Sequence, residues 1–156
     1  MHELKGFNHF SATVADMDRA LRFWRDKLGL KLAGRGVAER NHLDQITGLE
    51  NVRIEWAELE IPGGGLIELF RYESPAGQPL RGNVNDPGKT HVCFEVNGIE
   101  ALLSELQADG IRSVNDGAIK IESGDWKGWK SVYVRAPDDV VVELVEPPQR
   151  EELAPE

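Results

Sequence analysis

Two stretches of this 156-residue chain, IPGGGLIELF (residues 61–70) and APDDVVVELV (residues 136–145), carry the same pattern 75 positions apart. In each stretch a Pro-containing turn precedes an aliphatic run that is interrupted at the same place by a glutamate, Glu68 or Glu143. A turn followed by such a run predicts the second strand of a hairpin. The chain therefore contains an internal repeat, and a repeat bears on the whole architecture.

The repeat extends back to the start of each copy. HFSATVADM (residues 9–17) corresponds to HVCFEVNGI (residues 91–99) with an offset of 82, so that His9 falls on His91. The offset drops by seven, from 82 to 75, because the first copy has a longer, Gly-punctuated middle over residues 34–51. Each copy is predicted as strand–helix–strand–strand–strand (βαβββ), a unit too small to bury the face of its own sheet.

Hydrophobic spacing and turn residues place the elements of each copy. In the first copy Asp16 is the expected N-cap of a helix that ends at Gly29, and the other segments are strands at 6–14, 30–33, 52–61 and 66–72 with one helical turn at 42–46. In the second copy the spacing predicts a helix over 99–108 and strands at 90–96, 111–114, 130–136 and 140–146.

These elements predict an α+β fold, a single domain over residues 1–156 in which two tandem βαβββ modules form a curled mixed sheet. The modules are expected at residues 6–72 and 89–147. Residues 73–88 contain three prolines and three glycines without periodicity, which predicts a linker. Residues 148–156 are rich in Pro and Glu and predict a flexible acidic tail.

Composition excludes several classes of partner. Against 27 acidic residues stand 18 Lys and Arg, a net charge of -9. This balance repels phosphate backbones and anionic lipid, so neither nucleic acid nor a membrane surface is an expected partner. No secretory signal is visible in MHELKGFNHF, and no apolar run approaches the roughly 20 residues of a membrane span. The single cysteine, Cys93, excludes an intrachain disulfide and suits a reducing cytoplasm.

The repeated histidines and glutamates are the candidate functional residues of the chain. With pseudo-twofold packing, the four side chains can converge at one point between the copies: His9, Glu68, His91 and Glu143. Two imidazoles and two carboxylates suit one divalent Ni, Co, Zn, Fe or Mn ion, whereas a closed structural zinc site favours Cys and His. The alternative is that each His caps a sheet edge and each Glu faces solvent. A carboxylate in an apolar strand is costly when buried alone, and its recurrence with His in both copies favours the metal.

Four stretches resemble the vicinal oxygen chelate superfamily, which comprises glyoxalases, bleomycin-resistance proteins and extradiol dioxygenases. They are NHFSATVADMDRALRFWRDKLGL (8–30), PGGGLIELF (62–70), THVCFEV (90–96) and RAPDDVVVELVE (135–146). The chain is most similar to the branch of glyoxalase I and methylmalonyl-CoA epimerase. The resemblance implies paired βαβββ modules around a metal-holding cleft, with ligands at the four positions above. The family's last turn is usually Asp-Pro-Asp-Gly-Asn, whereas this chain has APDDV at 136–140.

The resemblance implies a small-molecule substrate that chelates one divalent metal through two adjacent oxygens. We expect an isomerase, epimerase or lyase that moves a proton α to a carbonyl, with Glu68 and Glu143 as the catalytic carboxylates and no other cofactor. The alternatives are an Fe(II) or Mn(II) dioxygenase of a catechol-like substrate, and a drug-binding protein without catalysis. Glu68 favours the isomerase side, because extradiol dioxygenases have no protein ligand at that position. Family members are commonly dimers, and open sheet edges predict a homodimer.

Other polar and aromatic residues have weaker signals. Cys93 shares a strand face with His91 and lines either the cleft or the core. His42 is either a substrate contact or an exposed loop residue, and Trp126 and Trp129 suit a lid, an interface or the core. The candidates for an anionic substrate group are the basic residues in loops or near strand ends, namely Arg35, Arg40, Arg81 and Lys89.

Overall fold

A computed structural model describes residues 2–149 of the chain. Of the predicted tail at 148–156, only Pro148 and Gln149 fall within the described residues. The chain forms two compact units, the first extending to Leu80 and the second beginning at Arg81. Within residues 2–149, no helix combines the length and the apolar character needed to cross a membrane.

The first unit is a four-stranded mixed sheet with helices. Its elements are β1 (His9–Thr13), α1 (Met17–Leu21) continued by a π-helical segment (Arg22–Lys27), β2 (Lys31–Glu39), α2 (Asn41–Thr47), β3 (Arg53–Glu60) and β4 (Leu66–Ser74). The strand order is β1-β4-β3-β2, with β1 parallel to β4 and the other pairs antiparallel. The parallel pairing places the first and last strands of the unit side by side.

Helix α1 begins where the sequence predicts, because the Asp16 side chain accepts a hydrogen bond from the backbone N–H of Arg19 at 2.9 Å. The apolar side of the helix packs on the sheet. Gly29 follows the last helical turn, and its φ of 73° is a backbone conformation that favours glycine. The core of the unit consists of fully buried side chains from the helical segment and the two inner strands, including Met17, Leu21, Trp24, Ala57, Leu59, Ile67 and Leu69.

The second unit repeats this plan. Its elements are β5 (His91–Glu95), α3 (Ile99–Ala108), β6 (Arg112–Ser113), β7 (Ile119–Lys120), β8 (Lys130–Arg135), a 3-10 turn (Pro137–Asp139) and β9 (Val141–Glu146). The order is β5-β9-β8-β6, with β7 also on β8 and β5 parallel to β9. Helix α3 has the predicted bounds because Ile99, Leu103 and Leu106 form one buried face. The α+β prediction is confirmed, and each copy forms a mixed sheet.

The prediction of irregular chain from residue 34 onward was wrong, because β2 continues to Glu39. Gly34 and Gly36 look like loop punctuation, but each opposes β3 in the sheet. A Cβ at either glycine would lie 3.0 Å from a ring carbon of Trp56. Because these glycines have no side chain, the indole can lie close to the β2 backbone, and such close approach is one reason why glycine occurs within strands.

Asp139, in the turn before β9, forms hydrogen bonds with the segment that precedes β5. Its Oδ2 accepts from Lys89 Nζ at 2.7 Å and from the Gly82 backbone N–H at 3.2 Å, and its Oδ1 accepts from Arg135. Burial alone would raise the pKa of Asp139, but the bonds from Lys89 and Arg135 outweigh it and hold the pKa below its usual value. The carboxylate thus stabilises the folded state only while it is ionised.

Replacing Asp139 by Asn is expected to lower the free energy of unfolding by about 2 kcal/mol at neutral pH, since it removes charge-assisted bonds from a mostly buried group. Because the folded pKa is lowered, the difference between wild type and variant should persist above about pH 4 and shrink as the pH falls below it. Urea unfolding across this range measures both effects. Asp125→Asn, at an exposed loop position of the same unit, is the matched control. A pH-independent difference would contradict the assignment.

Candidate metal centre

In the first unit His9 and Glu68 lie on the same face of the sheet. The parallel register sets His9 opposite Leu66 and Ser11 opposite Glu68, which makes His9 and Glu68 diagonal neighbours. His9 Nε2 lies 3.2 Å from Glu68 Oε2, and the two side chains are 39% and 17% exposed. The pairing of β1 with β4 therefore brings together the two candidate ligands of this copy.

The second unit repeats this arrangement. Cys93 opposes Glu143 and His91 opposes Val141, so His91 and Glu143 are again diagonal neighbours. His91 Nε2 lies 3.2 Å from Glu143 Oε2. The internal repeat thus preserves the residue pair, its register and the separation of its atoms.

The hydrogen bond behind His9 determines which ring nitrogen faces the carboxylate as an acceptor. Nδ1 lies 2.7 Å from Asn8 Oδ1, and an amide oxygen only accepts, so Nδ1 carries the hydrogen. In the neutral tautomer with the hydrogen on Nδ1, Nε2 directs its lone pair at the Glu68 carboxylate, 3.2 Å away, which is the arrangement of a metal-ligating histidine. Metal-ligating histidines commonly donate their other N–H in this way.

The residues of each unit fit one half of a divalent site. Two ligand atoms that each lie about 2.0–2.2 Å from a metal are separated by a distance close to that found here. Ser131 Oγ donates to Glu143 Oε1 at 2.8 Å, which leaves Oε2 turned toward His91. Within residues 2–149 no three His, Cys, Asp or Glu side chains are grouped to hold a metal ion. Each unit offers a pair, and the four-residue ligand set stays a prediction.

Beside the second pair lie a phenol and a thiol that sequence reasoning assigned no role or left open. The Tyr133 ring contacts the His91 ring with centroids 5.1 Å apart. Partial desolvation and then the charge of Glu143 raise the pKa of Cys93 to about 11, and the same two causes raise the pKa of Tyr133. Cys93 is exposed rather than a core filler. With their pKa values raised, both groups keep their hydrogens at neutral pH.

The position that opposes the candidate ligand differs between the copies. Glu58 opposes Glu68 in the first unit, and Tyr133 opposes Glu143 in the second. The offset of 75 already relates residues 58 and 133 in the sequence. That offset was the available signal, but only the strand register shows that each residue faces a candidate ligand.

The four basic residues considered as candidates for binding an anionic group are either held in ion pairs or exposed to solvent. Arg35 bonds Asp18 at 2.8 Å and the buried Glu55 at 2.5 Å, and Lys89 bonds Asp139. Hydrogen bonds from Glu55 and Asp18 raise the pKa of Arg35 further. The exposed side chains among the other candidates are Arg40, His42, Arg81 and Trp126, the last with its ring 4.7 Å from that of Trp129.

The fold agrees with the comparison to known families. The family model described as the Glyoxalase/Bleomycin resistance protein/Dioxygenase superfamily matches residues 6–144. The chain belongs to this superfamily, as the resemblance in its sequence predicted.

Individual relatives are more distant. The chain is 28% identical over 149 residues to lactoylglutathione lyase of Schizosaccharomyces pombe, covering 88% of this chain and 46% of that protein. It is 28% identical over 117 residues to mitochondrial methylmalonyl-CoA epimerase of Mus musculus, covering 74% and 60%. It thus spans about half the length of these relatives. A glyoxalase family protein from Bacillus cereus has a similar crystal structure, with a TM-score of 0.84, 26% identity and coverage of 95% and 97%.

Proposed function

We propose that this chain is a metal-dependent isomerase, epimerase or lyase of the glyoxalase type, which moves a proton α to the carbonyl of a substrate with two adjacent oxygens. The observation that carries the proposal is the His–Glu pair that recurs in both units with the same 3.2 Å separation. The lyase and epimerase among the relatives support this class of reaction.

His9, Glu68, His91 and Glu143 would hold one divalent ion of Ni, Co, Zn, Fe or Mn. When bound, that ion supplies Lewis acidity that stabilises negative charge on the substrate oxygen.

The two glutamates differ in how they are held, and we assign their roles from that difference. Glu143 Oε1 accepts a hydrogen bond from Ser131, which restrains its carboxylate. The position equivalent to Ser131 in the first unit is Trp56, which has no hydroxyl to offer Glu68. We therefore assign Glu143 to the fixed ligand and Glu68 to the carboxylate that takes the proton from the α-carbon and returns it.

Solvent exchange tests the proposal. The full chain, supplied with divalent metal, is incubated in D2O with S-lactoylglutathione, methylmalonyl-CoA and two small α-hydroxyketones. We expect deuterium at the α-carbon of at least one of these compounds, and loss of exchange in EDTA. Oxygen uptake with cleavage of a catechol, and no exchange with any of these compounds, would favour the dioxygenase alternative instead.

We also propose that the protein is a cytoplasmic homodimer. Strand β2 is nine residues long and lies at the edge of its sheet, where unpaired backbone groups favour pairing with another chain. Light scattering at micromolar concentration should report twice the chain mass of 17.4 kDa. A mass of one chain across that range would contradict this prediction.

A further inference from the structure

The two units share the His–Glu pair but differ in the neighbouring row of the sheet. In the first unit the row that crosses β1, β4, β3 and β2 consists of Thr13, Phe70, Trp56 and Gly36. The corresponding row of the second unit consists of Glu95, Val145, Ser131 and Ile119. This row therefore carries aromatic side chains in the first unit and none in the second, where the aromatic neighbour of the pair is Tyr133, in the same row as Glu143. We call Phe70 and Trp56 the aromatic row.

The aromatic row lies directly beside the carboxylates. Phe70 is two residues from Glu68 on β4, and Trp56 is two residues from Glu58 on β3. Residues two apart on a strand share a face and are roughly 7 Å apart. Both aromatic side chains remain partly exposed. A molecule bound through Glu68 would thus have an aromatic surface within reach of its adjacent substituent.

Two glycines hold the indole of Trp56 in place. Cβ atoms at Gly34 and Gly36 would lie 3.0–3.2 Å from five atoms of the ring system. The indole therefore lies across both glycines and against the β2 backbone. A ring fixed in this way offers a preformed planar surface, which costs little conformational entropy when a flat group binds to it.

The charges on this face do not suit an anionic substituent. Among the described residues of the first unit, the basic side chain on this face besides His9 is Lys31, which pairs with Glu60 at 2.9 Å. Arg35 and Arg71 bond the buried Glu55 on the opposite face. Glu58, which opposes Glu68 and is not one of the proposed ligands, would repel a carboxylate or phosphate placed beside it.

We infer that Trp56, together with Phe70, is the specificity-determining residue of the site, and that the substrate carries an uncharged planar aromatic substituent next to its chelating oxygens. The substrate class is then an aryl-substituted α-hydroxy carbonyl compound. This inference rests on the proposed function, which places the reacting oxygens at the His–Glu pairs.

Two neutral probes with the same pair of oxygens test the inference. 2-Hydroxyacetophenone and hydroxyacetone differ only in a phenyl or methyl group beside the carbonyl. Calorimetry on the full chain, with Zn²⁺ supplied and again in EDTA, should show that the phenyl compound binds about tenfold or more tightly, from ring burial and aromatic contact. The ratio of the two dissociation constants is the readout, because the ring contact does not involve the metal.

Substitutions then locate the preference. Trp56→Ala should reduce the ratio to about twofold or less while hydroxyacetone binding is unchanged, and Trp56→Phe should keep part of it. Gly36→Ala, which displaces the indole, should also lower the ratio. Trp126→Ala is the control, because it removes an exposed tryptophan elsewhere and should leave the ratio intact. Thermal unfolding verifies that each variant folds.

The outcomes separate this inference from the proposed function. A preference that survives Trp56→Ala, equal affinities of the wild type for both probes, or no binding of 2-hydroxyacetophenone up to its solubility limit would overturn the inference. Failure of deuterium exchange with an intact, Trp56-dependent phenyl preference would overturn the proton-transfer function and leave the aromatic subsite standing.

Discussion

Replacing Glu68 by Gln is expected to reduce turnover by about two to four decades, the usual scale for loss of a positioned general base. The amide keeps an oxygen at the same place, so the fold and the bound metal should be retained, while the group that accepts the proton is lost. Glu68 lies 3.2 Å from His9 and is 17% exposed, so its carboxylate is accessible on the face of the sheet that carries the candidate ligands. Deuterium incorporation and the turnover number, both measured beside metal content, separate loss of the base from loss of the metal.

Glu105→Gln provides the matched control, because it makes the same chemical change at an exposed position of α3. It should leave turnover, exchange and metal content unchanged. Full activity in Glu68→Gln would contradict the role assigned to Glu68, and proton transfer would then rest on another carboxylate.

His91→Ala is expected to abolish metal binding, which in the wild type should be about one divalent ion per chain. The substitution removes one imidazole of the proposed set, and a site that lacks one of four ligands loses most of its affinity. His91 is 43% exposed and contacts Tyr133 at the surface, so the variant should remain folded. Elemental analysis after gel filtration measures the metal, and circular dichroism verifies the fold.

His42→Ala on α2 is the corresponding control, since it removes an exposed imidazole outside the pairs. It should bind as much metal as the wild type. Full metal content in His91→Ala would rule out the four-residue set and leave the pairs as ordinary ion pairs between histidine and glutamate.

Local sequence patterns determined much of the architecture. The offsets of 82 and 75 predicted two related units, and the apolar spacing of Ile99, Leu103 and Leu106 predicted α3 with its observed bounds. The recurring His and Glu also singled out the four residues that the structure brings together as one pair in each unit, while their prediction as a single metal site stays a prediction. The predictions of secondary structure succeeded because they depend on periodicity and turn chemistry, which act between residues close in sequence.

Contacts between residues far apart in sequence decided the rest. Gly34 and Gly36 belong to a strand because Trp56, about 20 positions away, packs across them. Arg35 and Lys89 are held by carboxylates that no local pattern connects to them. Whether a candidate ligand is opposed by Glu58 or by Tyr133 follows from strand register, which the hairpin and the buried face specify together. The sequence alone thus determined the repeat and the recurring His and Glu, whereas tertiary packing decided what surrounds each His–Glu pair.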